Sequence, residues 1–226
     1  MKKRFSNIFL FLTLITIPHL LSGQNTGYNL SLMDDMDFQN FLTDINVNSA
    51  DLTKYYDGSV YLFKKPKEAV LYFWNEKARN ATAFVNLNIQ KNSFDFTVND
   101  KTFSFSAQDL REVVIDEVSF VPNDDGVFNK IIFSNDATQV VEEFRLEIQE
   151  QSHVIGYETK KNDIIKVKKS TFLVANNQKT SFSRTKKGVS KLFGKKAGEV
   201  KTYLSTQQLS PKSDADLARV FSQFAK

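Results

Sequence analysis

Few residues of this chain have the types and spacing for acid–base, nucleophilic or metal chemistry. Among 226 residues there is no cysteine and there are two histidines, His19 and His153. A thiol nucleophile, a disulfide framework, a Cys-based zinc site and a lipidated N-terminal cysteine are thereby excluded. His153 lies in an apolar-alternating run with Val154, Ile155 and Tyr157. No nucleophile-elbow pattern accompanies it, so it is expected to be a strand residue rather than the base of a Ser-His-Asp triad. Asp34-Asp35-Met36-Asp37 and Asn123-Asp124-Asp125-Gly126 are the densest oxygen-ligand clusters. Neither has the register of an EF-hand loop. The first reads as acids in the first turn of a helix and the second as a turn, with a bound cation as the alternative. A glycosidase pair cannot be singled out among 22 acids in residues 24–160, and no phosphate-binding glycine loop is present. No catalytic residue, metal ligand or cofactor is expected.

Residues suited to binding are more numerous. The chain holds 21 Phe, three of them before residue 24. In Phe94-Asp95-Phe96-Thr97-Val98 and Thr102-Phe103-Ser104-Phe105 apolar and polar residues alternate, which puts the rings on one face of a strand pair. Phe94, Phe96, Phe103 and Phe105 then either fill a core or line an apolar ligand cavity. Lys186, Lys187, Lys191, Lys195, Lys196 and Lys201 cluster near the C-terminus. They read as a solvated helix face or, beside an apolar mouth, as the seat of an anionic group. The expected ligand-binding set is Phe94, Phe96, Phe103, Phe105, Lys191, Lys195 and Lys196, taking an apolar or anionic amphiphile.

The elements that must position these residues are short strands. Runs at 60–63, 69–74, 81–89, 93–98, 101–105, 113–115, 118–121, 128–133, 142–148, 153–158, 164–167, 171–175 and 179–182 are predicted strands. Asn99-Asp100, Asn123 to Gly126 and Asn176-Asn177 supply residues that tolerate positive φ, so the joins are tight and the strands largely antiparallel. Upstream, Leu30 to Leu42 roughly keeps helical spacing. After Arg184 the spacing turns helical: Val189, Leu192 and Phe193; Val200, Tyr203 and Leu204; Leu217, Val220, Phe221 and Phe224. Ser210-Pro211 and the Ser213 to Asp216 capping box compete to start the last helix. The expected fold is mainly β: an antiparallel barrel, or a curved sheet or sandwich, of many short strands with a short C-terminal α-helical unit.

Lys2, Lys3 and Arg4, an apolar run from Ile8 to Leu21 and the small residues Ser22 and Gly23 read as a secretory signal peptide. Its roughly 14 apolar residues span about 21 Å as a helix, short of a hydrocarbon core. The expected organisation is a signal peptide at 1–23, a β-rich domain at 24–183 and a basic helical segment at 184–226, with no transmembrane segment after cleavage. Removing three cations lowers the net charge from +4 to about +1, so basicity gives no reason to expect a nucleic-acid partner. Residues 24–160 carry 12 Lys and Arg against 22 acids, and residues 161–226 carry 15 against 4. Either the two halves neutralise one another or the basic end holds an anionic partner such as a lipid or another envelope component.

Gly58-Ser59-Val60-Tyr61-Leu62, the segment Val85 to Phe96, the Lys-rich 186–226 and the junction Leu21-Ser22-Gly23-Gln24 resemble a group of uncharacterised exported β-rich proteins of Bacteroidota. That resemblance implies compartment and architecture and transfers no catalytic residue. The expected protein is periplasmic or secreted and acts by binding, with a hydrolase of an envelope polymer as the alternative.

Overall fold

The computed structural model describes residues 56–74, 80–98, 101–151, 162–176 and 178–225. The expected signal peptide at 1–23, the helix at 30–42 with Asp34, Asp35 and Asp37, and the strand at 153–158 with His153 lie outside the described residues. Eleven strands among the described residues form one large sheet. They are β1 (Asp57–Gly58), β2 (Lys67–Phe73), β3 (Ala81–Asn88), β4 (Ser93–Val98), β5 (Lys101–Phe105) and β6 (Leu110–Ile115), followed by β7 (Val118–Pro122), β8 (Phe128–Ser134), β9 (Thr138–Gln149), β10 (Ile164–Ala175) and β11 (Gln178–Phe182). The spatial order is β1-β10-β9-β8-β7-β6-β2-β3-β4-β5, with β11 also on β10. All pairings are antiparallel except β1 with β10, so the sheet is mixed.

The expected barrel does not form, because no ladder joins β5 back to the other end of the strand order. The sheet nevertheless curls. β4 stands four strand positions from β7 and five from β8, roughly 19 and 24 Å on a flat sheet. Yet the Phe94 ring lies 5.8 Å from that of Phe120 on β7 and 4.9 Å from that of Phe128 on β8. A side chain fastens the curl: Asn92, in the β3–β4 turn, donates to the Gly126 carbonyl and accepts from the Phe128 amide. The curl of this open sheet is thus held by ring packing and one asparagine rather than by a backbone ladder.

Tight turns hold the meander. Asn123 Oδ1 accepts from the amides of Asp125 and Val127, and Gly126 sits at φ +74°, so the Asn-Asp-Asp-Gly cluster is the expected turn. Asn176 takes φ +51° between β10 and β11. The two runs expected at 164–167 and 171–175 are one continuous strand, because Lys168, Lys169 and Ser170 stay in register with Arg145, Phe144 and Glu143 across β9. The strand expected at 60–63 shrinks to a single bridge of Tyr61 with Asn88, since the 62–66 segment bulges away before β2.

Three helices follow: α1 (Lys186–Leu192), α2 (Ala197–Thr206) and α3 (Asp214–Phe224), with a 3₁₀ turn at Gly194–Lys196. Ser213 wins the competition to cap α3, its side chain accepting from the Asp216 amide. The apolar stripes meet over β8 to β11, where Val189, Val200, Leu204, Leu217, Val220 and Phe221 pack with Val140, Phe133, Leu173 and Phe182. A second, larger core lies around Leu71, Val85, Phe94, Phe105, Val113 and Phe128.

Gly188 seats α1 against the sheet. Thr185 caps the helix by accepting from the Gly188 amide, and a Cβ at residue 188 would stand 2.3 Å from the Ser183 carbonyl oxygen. Alanine in place of a helical glycine is ordinarily worth about 1 kcal/mol in its favour. Here Gly188→Ala is expected to lower the midpoint of thermal unfolding, because backbone must move to admit the methyl. A raised midpoint in circular-dichroism melts would contradict this seating.

Candidate functional site

The four phenylalanines of the expected ligand set are brought together, and they meet one another. Phe94 and Phe105 are fully buried, Phe96 is 4% exposed, and Phe103 packs partly buried against the same core. Phe96 stacks on Phe103 at 5.4 Å and on Phe105 at 4.9 Å, and Phe105 meets Phe73 edge-on at 5.4 Å. Burial of this size, with ring pairs at favourable geometry, is what a filled core uses to hold strands together.

The opposite face of the same strands carries an unexpected polar cluster. Asp95, 4% exposed, accepts four hydrogen bonds: from Ser93 and Ser104 hydroxyls on Oδ1 at 2.8 and 2.6 Å, and from Tyr61 OH and Asn88 Nδ2 on Oδ2 at 3.0 and 2.8 Å. Asn88 is itself fixed, its Oδ1 accepting from the Gln90 and Lys91 amides. Next to it Asn86 clamps the bulge by accepting from the Phe63 amide and donating to the Phe63 carbonyl. No lone-pair direction of Asp95 is left for a substrate proton, so the cluster binds strands rather than performs chemistry. The alternation placed Asp95 on the polar face; its burial there carried no sequence signal.

A cluster of charges gathers around one buried acid, Glu142. Lys130 on β8 and Thr171 on β10 stand opposite Glu142 on β9. Arg184, just after β11, donates to Glu142 at 3.3 Å, pairs with Asp214 at 2.7 Å, and gives Nε and Nη2 to the carbonyls of Pro211 and Lys212, each at 2.8 Å. Lys130 also pairs with Asp214, and Lys169 with Glu142 at 3.7 Å. Partial burial acts to raise the Asp214 pKa, but the hydrogen bonds from Lys130 and Arg184 more than offset it, and the net shift is downward. These residues latch α3 to the sheet.

Further along β9 and β10, Lys168 pairs with Glu147 at 2.7 Å, and Lys179 on β11 pairs with Glu143. Among the 15 cations of the chain's basic half, eleven fall into two groups. Those of β10, β11 and residue 184 face the acids of β9. Lys186, Lys187, Lys191, Lys195, Lys196 and Lys201 are all exposed and form no ion pair among the described residues. Glu199 is the single acid between residues 186 and 213. The expected lysines Lys191, Lys195 and Lys196 thus share one helical unit, while the phenylalanines of the same expected set lie in the other core.

Three surface clefts bear on chemistry. One of about 440 Å³, lined by Glu147, Ile148, Gln149, Glu150 and Lys166, brings two acids together. Glu147, hydrogen-bonded to Lys168, is held below its ordinary pKa, the wrong direction for the general acid of a glycosidase. A second, of about 280 Å³ on the outer face of β6 to β9, contains one acid, Glu112, which accepts from Ser119 at 2.6 Å. The third, of about 290 Å³, lies between the end of β11 and α1, with Lys187 and Lys191 on its wall. No helix among the described residues is long and apolar enough to cross a membrane.

Compared with family models, curated proteins and solved structures, the chain finds no match. The geometry above is accordingly the ground for a functional reading.

Proposed function

We propose that this is an exported, non-enzymatic binding protein of the cell envelope whose C-terminal helical unit presents a lysine face to an anionic partner. The observation that carries the reading is the division of the cations. A chain that only needed internal neutrality would spend its basic half on its acidic half, as β9, β10 and β11 do. Six lysines on α1, the 3₁₀ turn and α2 are instead left to solvent in a stretch that carries one acid, Glu199. Each exposed lysine near an anionic surface contributes on the order of 1 kcal/mol, so several on one unit suffice for salt-sensitive attachment. The filled Phe core contributes rigidity rather than a ligand cavity in this reading. It supports α1 and α2 through the sheet on which they pack.

The reading is tested with Lys191→Glu, Lys195→Glu and Lys196→Glu combined in the full chain. Binding to phosphatidylglycerol vesicles in flotation assays at low salt is expected to fall at least tenfold, with unchanged far-ultraviolet circular dichroism. Undiminished binding would remove the lysines from the account.

A further inference from the structure

Resting on that reading, we propose that the groove between the end of β11 and α1 seats the phosphoryl group of an anionic lipid headgroup. Its lining is Ser181, Phe182, Ser183, Thr185, Lys187, Gly188, Lys191 and Leu192, with no acid among them. Lys187 and Lys191 stand one turn apart on α1, so their ammonium groups reach the same wall. An ammonium offers three donors and no acceptor, and serine hydroxyls rotate to donate. Ser181 on the strand side has no hydrogen-bond partner for its hydroxyl among the described residues. The Ser183 and Thr185 hydroxyls are 3.1 Å apart, and Thr185 is committed to the Gly188 amide. The groove is therefore rich in donors and cations and lacks a carboxylate to repel an anion.

Size and the remaining lining narrow the class. A volume of about 290 Å³ lies at the lower end of small-molecule sites, so it fits a headgroup rather than a whole lipid. Phe182 and Leu192, both partly buried in the second core, supply an apolar floor against which a glycerol moiety can rest. Gly188 is what allows α1 to come this near to Ser183 and shape the groove. A phosphate monoester carries more charge than a diester and exposes three oxygens to such donors, whereas a diester presents two. The seat thus selects monoester headgroups, while the surrounding lysines respond only to overall negative charge.

The test uses the full chain and two probes. Soluble glycerol 3-phosphate is titrated while backbone amides of residues 181–192 are followed by NMR. Vesicles of phosphatidic acid and of phosphatidylglycerol are compared at matched surface charge. Shifts confined to the groove are expected, with tighter binding to phosphatidic acid. Loss of one charge-assisted contact in Lys187→Gln is expected to weaken glycerol phosphate about tenfold, with Lys187→Arg restoring much of it. Equal binding to both vesicles with no groove shifts would overturn the seat while leaving a general lysine attraction intact. Groove shifts without vesicle binding would keep the phosphoryl seat for a soluble ester and overturn both the lipid source and the membrane surface.

Discussion

Arg184→Ala is expected to destabilise the protein by about 3–5 kcal/mol and to loosen α3 from the sheet. The Arg184 side chain is 17% exposed and Glu142 is 7% exposed, so their charges are largely out of water. Removing the guanidinium strips Glu142 and Asp214 of a shared partner and leaves the Pro211 and Lys212 carbonyls without their donors. Truncating one partner of a buried ionic arrangement costs more than the pair is worth, because the other charge stays behind. The effect should appear as a lowered urea midpoint and as faster amide exchange in residues 214–224. Its pH dependence has a definite sign. Asp214 is held below its ordinary pKa in the folded protein, so its contribution is present above that ordinary value, about 4, and is lost as pH falls through the lower folded value. The gap between wild type and Arg184→Ala should therefore narrow only in that acid window. A cost below about 1 kcal/mol at neutral pH would show that Arg184 is not what holds α3, leaving its apolar packing and the Lys130–Asp214 pair.

Asp95→Ala is the second large effect, expected at about 3 kcal/mol or more. Four donors lose their acceptor, and each buried unsatisfied group costs about 1–3 kcal/mol. The serine and tyrosine hydroxyls can turn toward other partners. The Asn88 amide cannot, since its oxygen is tied to the Gln90 and Lys91 amides. Asp95→Asn keeps the shape and one acceptor, so its cost should be clearly smaller; two equal costs would show that the four donors require the full carboxylate and that retained shape and one oxygen do not help. Both variants leave the lysine face untouched and are expected to bind anionic vesicles like wild type wherever they are folded.

Among the described residues, local sequence signals located most strands and the three C-terminal helices because they depend on neighbours in the chain. Phe94 to Phe105 reads as a hairpin from two alternating runs joined at Asn99-Asp100, and the strands do pair, Phe94 with Phe105 and Phe96 with Phe103. Barrel closure was not legible, because it depends on whether β5 finds a distant edge, and no residue in β5 encodes that. The curl instead rests on Asn92, an ordinary turn residue whose partners Gly126 and Phe128 lie more than 30 positions away. Charge counts per half foretold the attraction of β10 and β11 for β9. They did not foretell that pairing stops at Arg184, since that boundary is set by where the chain leaves the sheet. The groove at Lys187 was equally hidden: its strand-side wall is Ser181 and Ser183, which only the docking of α1 brings to the lysines.

The most direct test of the lysine-face claim is an ionic-strength titration of the wild-type chain against neutral and phosphatidylglycerol vesicles. The account predicts no binding to neutral vesicles and an affinity for anionic ones that drops at least tenfold between about 50 and 300 mM salt, as screening shortens the reach of exposed lysines. Equal binding to both vesicle types, or binding indifferent to salt, would contradict it.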